Sequence, residues 1–177
     1  MLTLTAVGPA DGPGLIHFLV ANTFPFHVLG RHTHESAQRA VDSGRFHRED
    51  SQGYWIDGDG RHGLVVLEDL QDETVMFDLR LAESSRGRRI GTAALTALAM
   101  LTFSTLPQAR RFEGQTREDN LAMRRAFLTA GFVQEAFYRQ GWPAGNGLFL
   151  GSVAYSMLRD DWQSGTTTPI PWHPEGG

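Results

Sequence analysis

Apolar positions along the chain recur with two periods, and their alternation predicts an α/β (α+β) protein in which helices interrupt a series of strands. Leu2 to Ala6 alternates as a short strand. Asp11 and Pro13 then signal a helix start, with Leu15, Phe18 and Leu19 on one face. Thr23-Phe24-Pro25-Phe26-His27 cannot continue that helix, because Pro25 lacks an amide donor and drives Phe24 toward extended geometry. Thr33 can cap a second helix bearing Ala37, Ala40 and Val41, with Gly44 at its end. Tyr54 to Asp57 and His62 to Leu70 read as strands joined across Gly58-Asp59-Gly60, and Val75 to Leu81 as the next.

Beyond that strand, Ile90, Ala93, Ala94, Ala97, Leu98 and Leu101 keep helical spacing. Leu95 and Met100 widen the apolar face until little polar surface is left, so the helix is expected to be buried. Arg111 to Thr116 reads as a strand with Phe112 on one face and Glu113 and Gln115 on the other. Thr116-Arg117-Glu118-Asp119 has capping-box spacing and precedes a helix carrying Met123, Ala126, Phe127 and Ala130. Gly131 can stop that helix in the left-handed conformation, letting Phe132 fold back on Phe127. Val133 to Trp142 and Leu148 to Leu158 form two closing strands. Past Trp162 the Gly, Thr and Pro content predicts a flexible tail, which gives one domain over 1–162 and a tail over 163–177.

The stretch from Phe77 to Thr92 organises this pattern: an apolar strand, the turn Arg86-Gly87-Arg88-Arg89-Ile90-Gly91-Thr92, and a helix start. A turn lacking side chains at Gly87 and Gly91, leading into unpaired helix amides, offers N–H groups and a positive dipole end to an anion. Three arginines add charge, and the stretch suits a diphosphate. The bland reading is a glycine turn of the kind any α/β domain has. Neither the Walker loop nor the three-glycine dinucleotide fingerprint is present.

Composition narrows the function. The chain has 177 residues, 41% hydrophobic and 20% charged, which is enough to bury a core without disulfides or metal. With no cysteine, a thiolate nucleophile and a cysteine-rich zinc site are excluded. A net charge of −4 argues against nucleic acid, and no apolar run reaches the ~18 residues a bilayer needs. Met1 to Ala10 has no basic start or long apolar core, so a cytoplasmic protein is expected. His27, His32 and His34 lack a helical pair with a third ligand, and no metal is expected. Asp57, Asp59 and Glu68 fall at calcium-loop positions, but Arg61 and His62 stand where an oxygen ligand and a glycine are required.

Arg86 to Gly91 resembles the acetyl-CoA signature of the GCN5-related N-acetyltransferase (GNAT) superfamily, R/Q-x-x-G-x-G/A, with Arg89 in place of its middle glycine. That side chain either narrows the approach to the pyrophosphate or itself reaches a phosphate oxygen. Asn120 through Phe132 is similar to the N-x-x-S-x-x-x-x-x-x-x-G-F segment of the RimJ/RimL-type subfamily, as is the closing Tyr155 to Trp162. The resemblance implies the GNAT fold: a mixed central sheet splayed between its fourth and fifth strands, Val75 to Leu81 and Arg111 to Thr116, flanked by about four helices.

It also implies acetyl-CoA in the splay. Main chain at Leu79 and Leu81 would pair with pantetheine, and an N–H there would stabilise the oxyanion. Arg86, Gly87, Arg88, Arg89, Ile90, Gly91 and Thr92 would hold the pyrophosphate, Asn120 would meet the pantetheine arm and Arg125 would approach the adenosine. Phe24, Phe26, His27 and Trp55 would line an acceptor pocket, with Glu68 and Asp78 near it. Direct attack by an amine needs a base; Glu113 takes that role by its position on the strand, if two residues are inserted before Asn120, with Glu68, Asp78 and His27 in reserve. Met123 and Phe127 stand where the superfamily has a serine or tyrosine proton donor, which leaves an unassisted thiolate, Tyr138 or water. The expected activity is acetyl transfer to a primary amine of a peptide, small metabolite or antibiotic, by a monomer or a homodimer paired through its last strands. The alternative is a catalytically silent acyl-CoA-binding module.

Overall fold

The computed structural model describes residues 2–171. Its elements in chain order are β1 (Thr3–Ala6), α1 (Gly12–Ala21), α2 (His34–Asp42), β2 (His47–Arg48), β3 (Ser51–Asp57), β4 (Arg61–Glu68), β5 (Thr74–Leu81), α3 (Ile90–Thr105), β6 (Arg111–Arg117), α4 (Leu121–Thr129), β7 (Val133–Gly145), β8 (Leu148–Leu158) and α5 (Arg159–Ser164). One mixed sheet runs β1-β3-β4-β5-β6-β8-β7, with β2 paired to β3. Only β5 and β6 are parallel; the other neighbours are antiparallel. This is the GNAT fold that the sequence resemblance implied.

The sheet separates two cores, as the alternation of its side chains requires. In β4, Val65 and Leu67 join α3, Phe112, Phe127 and Phe132 on one face, while Leu64 and Val66 join Leu15, Phe18 and Leu19 of α1 on the other. Burial on both faces explains why this strand reads as a continuous apolar run. On the α3 side, Phe77, Phe112, Phe127 and Phe132 form an aromatic cluster with neighbouring ring centroids 4.8 to 6.3 Å apart. Phe132 folds back on Phe127 as its position predicts: Gly131 has φ +90°, and the Phe132 amide donates to the Phe127 carbonyl at 3.0 Å.

Several boundaries differ from the sequence reading. Helix α3 buries Ala94, Leu95, Leu98, Ala99, Thr102 and Phe103, while Met100 is 57% exposed, so it has one buried face instead of being enclosed. Thr116 and Arg117 belong to β6, and α4 is capped by Asn120, whose Oδ1 accepts from the Met123 amide at 3.3 Å. The closing strand stops at Leu158. Arg159 then starts α5, and its guanidinium donates to the carbonyls of Phe103, Leu106 and Ala109 at 2.6 to 2.7 Å, closing the C-terminal end of α3. Of the expected tail, Thr168 bonds back to Asp161 at 3.0 Å, and residues 172–177 lie outside the described residues. Among the described residues no helix is long and apolar enough to cross a membrane.

Candidate active site

Strands β5 and β6 pair at only three positions, Thr74 with Arg111, Val75 with Phe112 and Met76 with Glu113, and then diverge. Each remains bonded to its outer neighbour, β5 to β4 as far as Leu81 and β6 to β8 as far as Arg117. The gap therefore lies in the middle of the sheet. Gly114 stands where the next pair would form, and a β-carbon there would lie 2.4 Å from the Phe77 ring. That ring occupies the volume a side chain on the facing strand would need.

The register identifies which main-chain groups face the gap. The Ala82 amide donates to the His62 carbonyl at 2.8 Å, continuing the pairing of Gly63 with Leu81. Even-numbered residues of β5 thus exchange bonds with β4, and the N–H and C=O groups of Leu79 and Leu81 point the other way. Arg86 donates to the Leu81 carbonyl at 3.2 Å. The remaining groups are the open edge of a strand.

From this edge a cleft of about 320 Å³ runs past the turn to α4. Its walls are Leu79 and Leu81, Ser85 to Gly87, Arg89 to Thr92, the loop Phe24 to His27, and one side of α4 with Asn120, Met123 and Arg125. Gly87 has φ +73° and Arg89 φ +62°, two left-handed residues that turn the chain into α3, whose first residues, Ile90 to Thr92, line the cleft. Gly91 lies within the first turn of α3, and a β-carbon there would make ordinary contacts with Leu81 and Ala126 at 3.7 and 3.9 Å. A larger side chain would fill the space between β5 and α4. Asn120 lines the cleft, but its amide is spent on the α4 cap and on the Thr116 hydroxyl at 3.0 Å.

The wall formed by the loop Phe24 to His27 is fixed by distant parts of the chain. Glu83 accepts from the Thr23 amide at 2.8 Å and from its hydroxyl, and Arg86 donates to the Thr23 carbonyl. Arg117, at the far side of the gap, donates to the Pro25 carbonyl at 3.1 Å and lies 5.0 Å from the Phe26 ring. The loop thus spans the mouth between β5 and β6. Beneath it, His27 Nε2 sits 3.0 Å from Asp78 Oδ1, and Asp78 also contacts Arg45 at 3.3 Å and Arg80 at 3.0 Å. Burial alone would raise the Asp78 pKa; the hydrogen bond from His27 and the charges of Arg80, His27 and Arg45 outweigh it and hold the carboxyl far below the usual range. His27 Nδ1 is buried without a partner.

Other expected site residues lie elsewhere. Trp55 is 1% exposed, packs edge-on against Phe18 and donates to Asp11 at 3.2 Å, so it belongs to the α1 core and not to an acceptor pocket. Glu68 is paired with Arg45 at 2.7 Å outside the cleft. Glu113 alternates with buried Phe112 onto the face away from α3, where Arg111 holds it at 2.9 Å; it does not line the cleft. Arg88 turns outward to Asp59 at 3.3 Å. Tyr138 is 50% exposed on β7 and also outside the cleft. Glu83 and Ser85, beside the recognisable arginines, were not among the expected residues. Their polarity so close to the turn is a signal, but their partners, Thr23 and His62, are not adjacent in sequence.

The sequence matches the family model for the acetyltransferase (GNAT) domain over residues 2–133. No curated protein sequence matches it. Among solved structures, the spermidine N-acetyltransferase of Vibrio cholerae, in complex with CoA and spermine, superposes with a TM-score of 0.77 at 15% identity, over 92% of this chain and 98% of that one. RimL, a ribosomal L7/L12 α-N-protein acetyltransferase in complex with coenzyme A, superposes at 0.75 and 20% identity, over 89% and 93%. A probable acetyltransferase gives 0.75 and 20%, over 91% and 94%. At these identities the superpositions speak for the fold.

Proposed function

The chain belongs to the GNAT acetyltransferase family, and from that premise we propose that it acetylates a primary amine whose body is uncharged and apolar, with His27 as the base. The family makes it an acetyl-CoA-dependent N-acetyltransferase; the acceptor and the residue roles are the proposal. One observation carries the choice of acceptor: among the described residues no carboxylate lines the cleft; Asp78 beneath the loop is already paired with Arg45 and Arg80, and Glu83 beside it is taken up by Thr23. A polyamine would find no counter-charge there. The wall it would meet is Phe24, Pro25, Phe26 and His27.

The residues present fit acetyl-CoA. Leu79 and Leu81 offer main-chain groups along one edge, Ile90 to Thr92 offer unpaired helix amides, and Arg89 and Arg125 line the cleft with no ion pair among the described residues. Bound there, acetyl-CoA supplies a thioester carbonyl open to direct attack by an amine. In this reading the Leu79 or Leu81 N–H stabilises negative charge developing on the carbonyl oxygen.

An incoming ammonium must lose a proton before it can attack. We assign that step to His27 in its neutral form, oriented by Asp78 at 3.0 Å from Nε2. Glu113, committed to Arg111, is not part of this route. Met123 cannot donate a proton, and Phe127 is fully buried, stacked on Tyr155 at 4.6 Å. Neither of these two positions supplies an acid to the leaving thiolate, whose modest basicity lets it depart to water. CoA release against spermidine, phenylalkylamines and short peptides with apolar N-termini tests the acceptor. Turnover with the apolar amines and none with spermidine is expected; the reverse would end the reading.

A further inference from the structure

The loop that carries His27 is tied to the opposite wall of the cleft by a two-way clasp. Glu83 accepts from the Thr23 amide at 2.8 Å and from the Thr23 hydroxyl; its own amide donates to Asn22 Oδ1 at 3.0 Å, and Arg86 donates to the Thr23 carbonyl. The partners are 60 to 63 residues apart in the chain, and all four contacts are exposed to solvent. The base of the loop closes at the same point, where Thr23 bridges to Arg31 and the Phe24 amide donates to the Gly30 carbonyl at 2.6 Å. What holds Thr23 therefore holds the loop Phe24 to His27.

Glu83 belongs to a short turn with two sides. The 3-10 turn Glu83–Ser85 is closed by the Ser85 amide on the Ala82 carbonyl at 3.0 Å and by the Arg86 amide on the Glu83 carbonyl at 3.3 Å. Ser85 and Arg86 line the cleft, whereas Glu83 and Thr23 do not. A ligand that fixes the backbone from Ser85 onward thus fixes the direction in which Glu83 projects without touching Glu83 itself. The far bank of the gap is different. Arg117, its side chain 14% exposed and gripped by Asp119 at 2.6 and 2.9 Å, donates to the Pro25 carbonyl from β6, away from the turn. Each exposed hydrogen bond of the clasp contributes little net stability, so the clasp opens when the turn shifts.

We propose that Glu83 is a positioning residue that couples the two walls: acetyl-CoA, by fixing the turn, closes the clasp on Thr23 and firms the loop that receives the amine. This rests on the cleft being the site of both acetyl-CoA and the acceptor. By linkage the amine must then tighten the cofactor by the same factor. Neither Glu83 nor Thr23 lines the cleft, so opening the clasp removes the coupling and spares cofactor affinity.

Amide hydrogen exchange and titration calorimetry test this, with CoA as the unreactive cofactor and phenylethylamine as the amine. In the wild type, saturating CoA should slow exchange at the Phe24 and His27 amides about fivefold or more and lower the amine Kd by a similar factor. In Glu83→Ala both ratios should fall to about one while the Kd for CoA stays within about twofold of wild type. Glu83→Gln, which keeps an oxygen able to accept from Thr23, should retain part of the effect. Arg117→Gln separates coupling from a merely loosened loop: it should weaken amine binding with and without CoA alike and leave the ratio near the wild-type value. Wild-type loop amides indifferent to CoA, or ratios unchanged in Glu83→Ala, would overturn the coupling. A weakened CoA Kd in Glu83→Ala would make Glu83 part of the turn's own structure, and a ratio lost equally in Arg117→Gln would reduce its role to loop stiffness; either result overturns the assignment. Wild-type protein that fails to bind CoA would remove the cleft reading itself, whereas CoA binding that slows the loop in a protein indifferent to the amine would uphold the clasp and remove only the acceptor reading.

Discussion

The two walls of the cleft are built on different principles. The cofactor wall is mostly main chain from one continuous stretch, Leu79 to Thr92, shaped by a strand edge, two left-handed residues and a helix start. The acceptor wall is mostly side chains on the loop Phe24 to His27, fixed by Glu83, Arg86, Asp78 and Arg117 from three later segments. Main-chain recognition needs particular backbone shapes at fixed short spacing, which is why it leaves a readable pattern. Side-chain recognition across the fold needs only the right partner at the end of a long chain path. On the proposed reading, the first wall holds the cofactor common to the family and the second sets the acceptor.

Gly91→Arg should break the cofactor wall most completely. The new side chain would fill the space between Leu81 and Ala126, abolishing detectable acetyl-CoA binding while unfolding stays cooperative; undiminished binding in calorimetry would show that the space is not used. On the acceptor wall, His27→Gln should lower kcat/KM about 10²- to 10⁴-fold with acetyl-CoA affinity intact. Asp78→Asn should lower it in the same direction but less, since the imidazole remains. Equal activity in both variants would return the base to another group. Glu113→Gln is a sharper negative: its carboxylate is held by Arg111 outside the cleft, so steady-state turnover should stay within about twofold across pH. A selective loss below pH 8 would restore Glu113 as the base.

The smallest expected effect is on stability. Burial, with the nearby Arg80, holds the His32 pKa below its ordinary value against the opposing pull of Asp78, with His27 and Arg45 adding to the lowering. A histidine depressed in the folded state contributes stability above the unfolded value of about 6.5 and loses it as pH falls below that. Tm should therefore decline from pH 7 to pH 5, and less steeply in His32→Gln. A steeper decline in the variant would contradict the sign.

How much of this was legible in the sequence follows the same division. The splay between β5 and β6 came only from the family resemblance, whereas the succession of strands and the turn could be read because each rests on local periodicity or glycine geometry. Gly131 and Phe132 closed α4 as expected for the same reason. Trp55 was misplaced because a buried aromatic and a pocket aromatic look alike on a period-two strand; Arg61 over its ring at 3.8 Å and the bond to Asp11 mark it as core. Glu113 was misjudged because alternation shows which residues share a face, but not which face opens to the cleft. Helix α5 was missed because its stability comes from Arg159 and Trp162 packing onto the end of α3, a partner about fifty residues earlier, and not from its six-residue pattern.

Amide hydrogen exchange at Leu79 and Leu81 reads the central claim directly. Acetyl-CoA is expected to add itself as a strand to the open edge of β5. Both amides should exchange rapidly in the free protein and slow about tenfold or more when acetyl-CoA is added, while Arg80, already paired to β4, changes little. If Leu79 and Leu81 keep their rates at saturating acetyl-CoA, the thioester is held somewhere other than in the gap between β5 and β6.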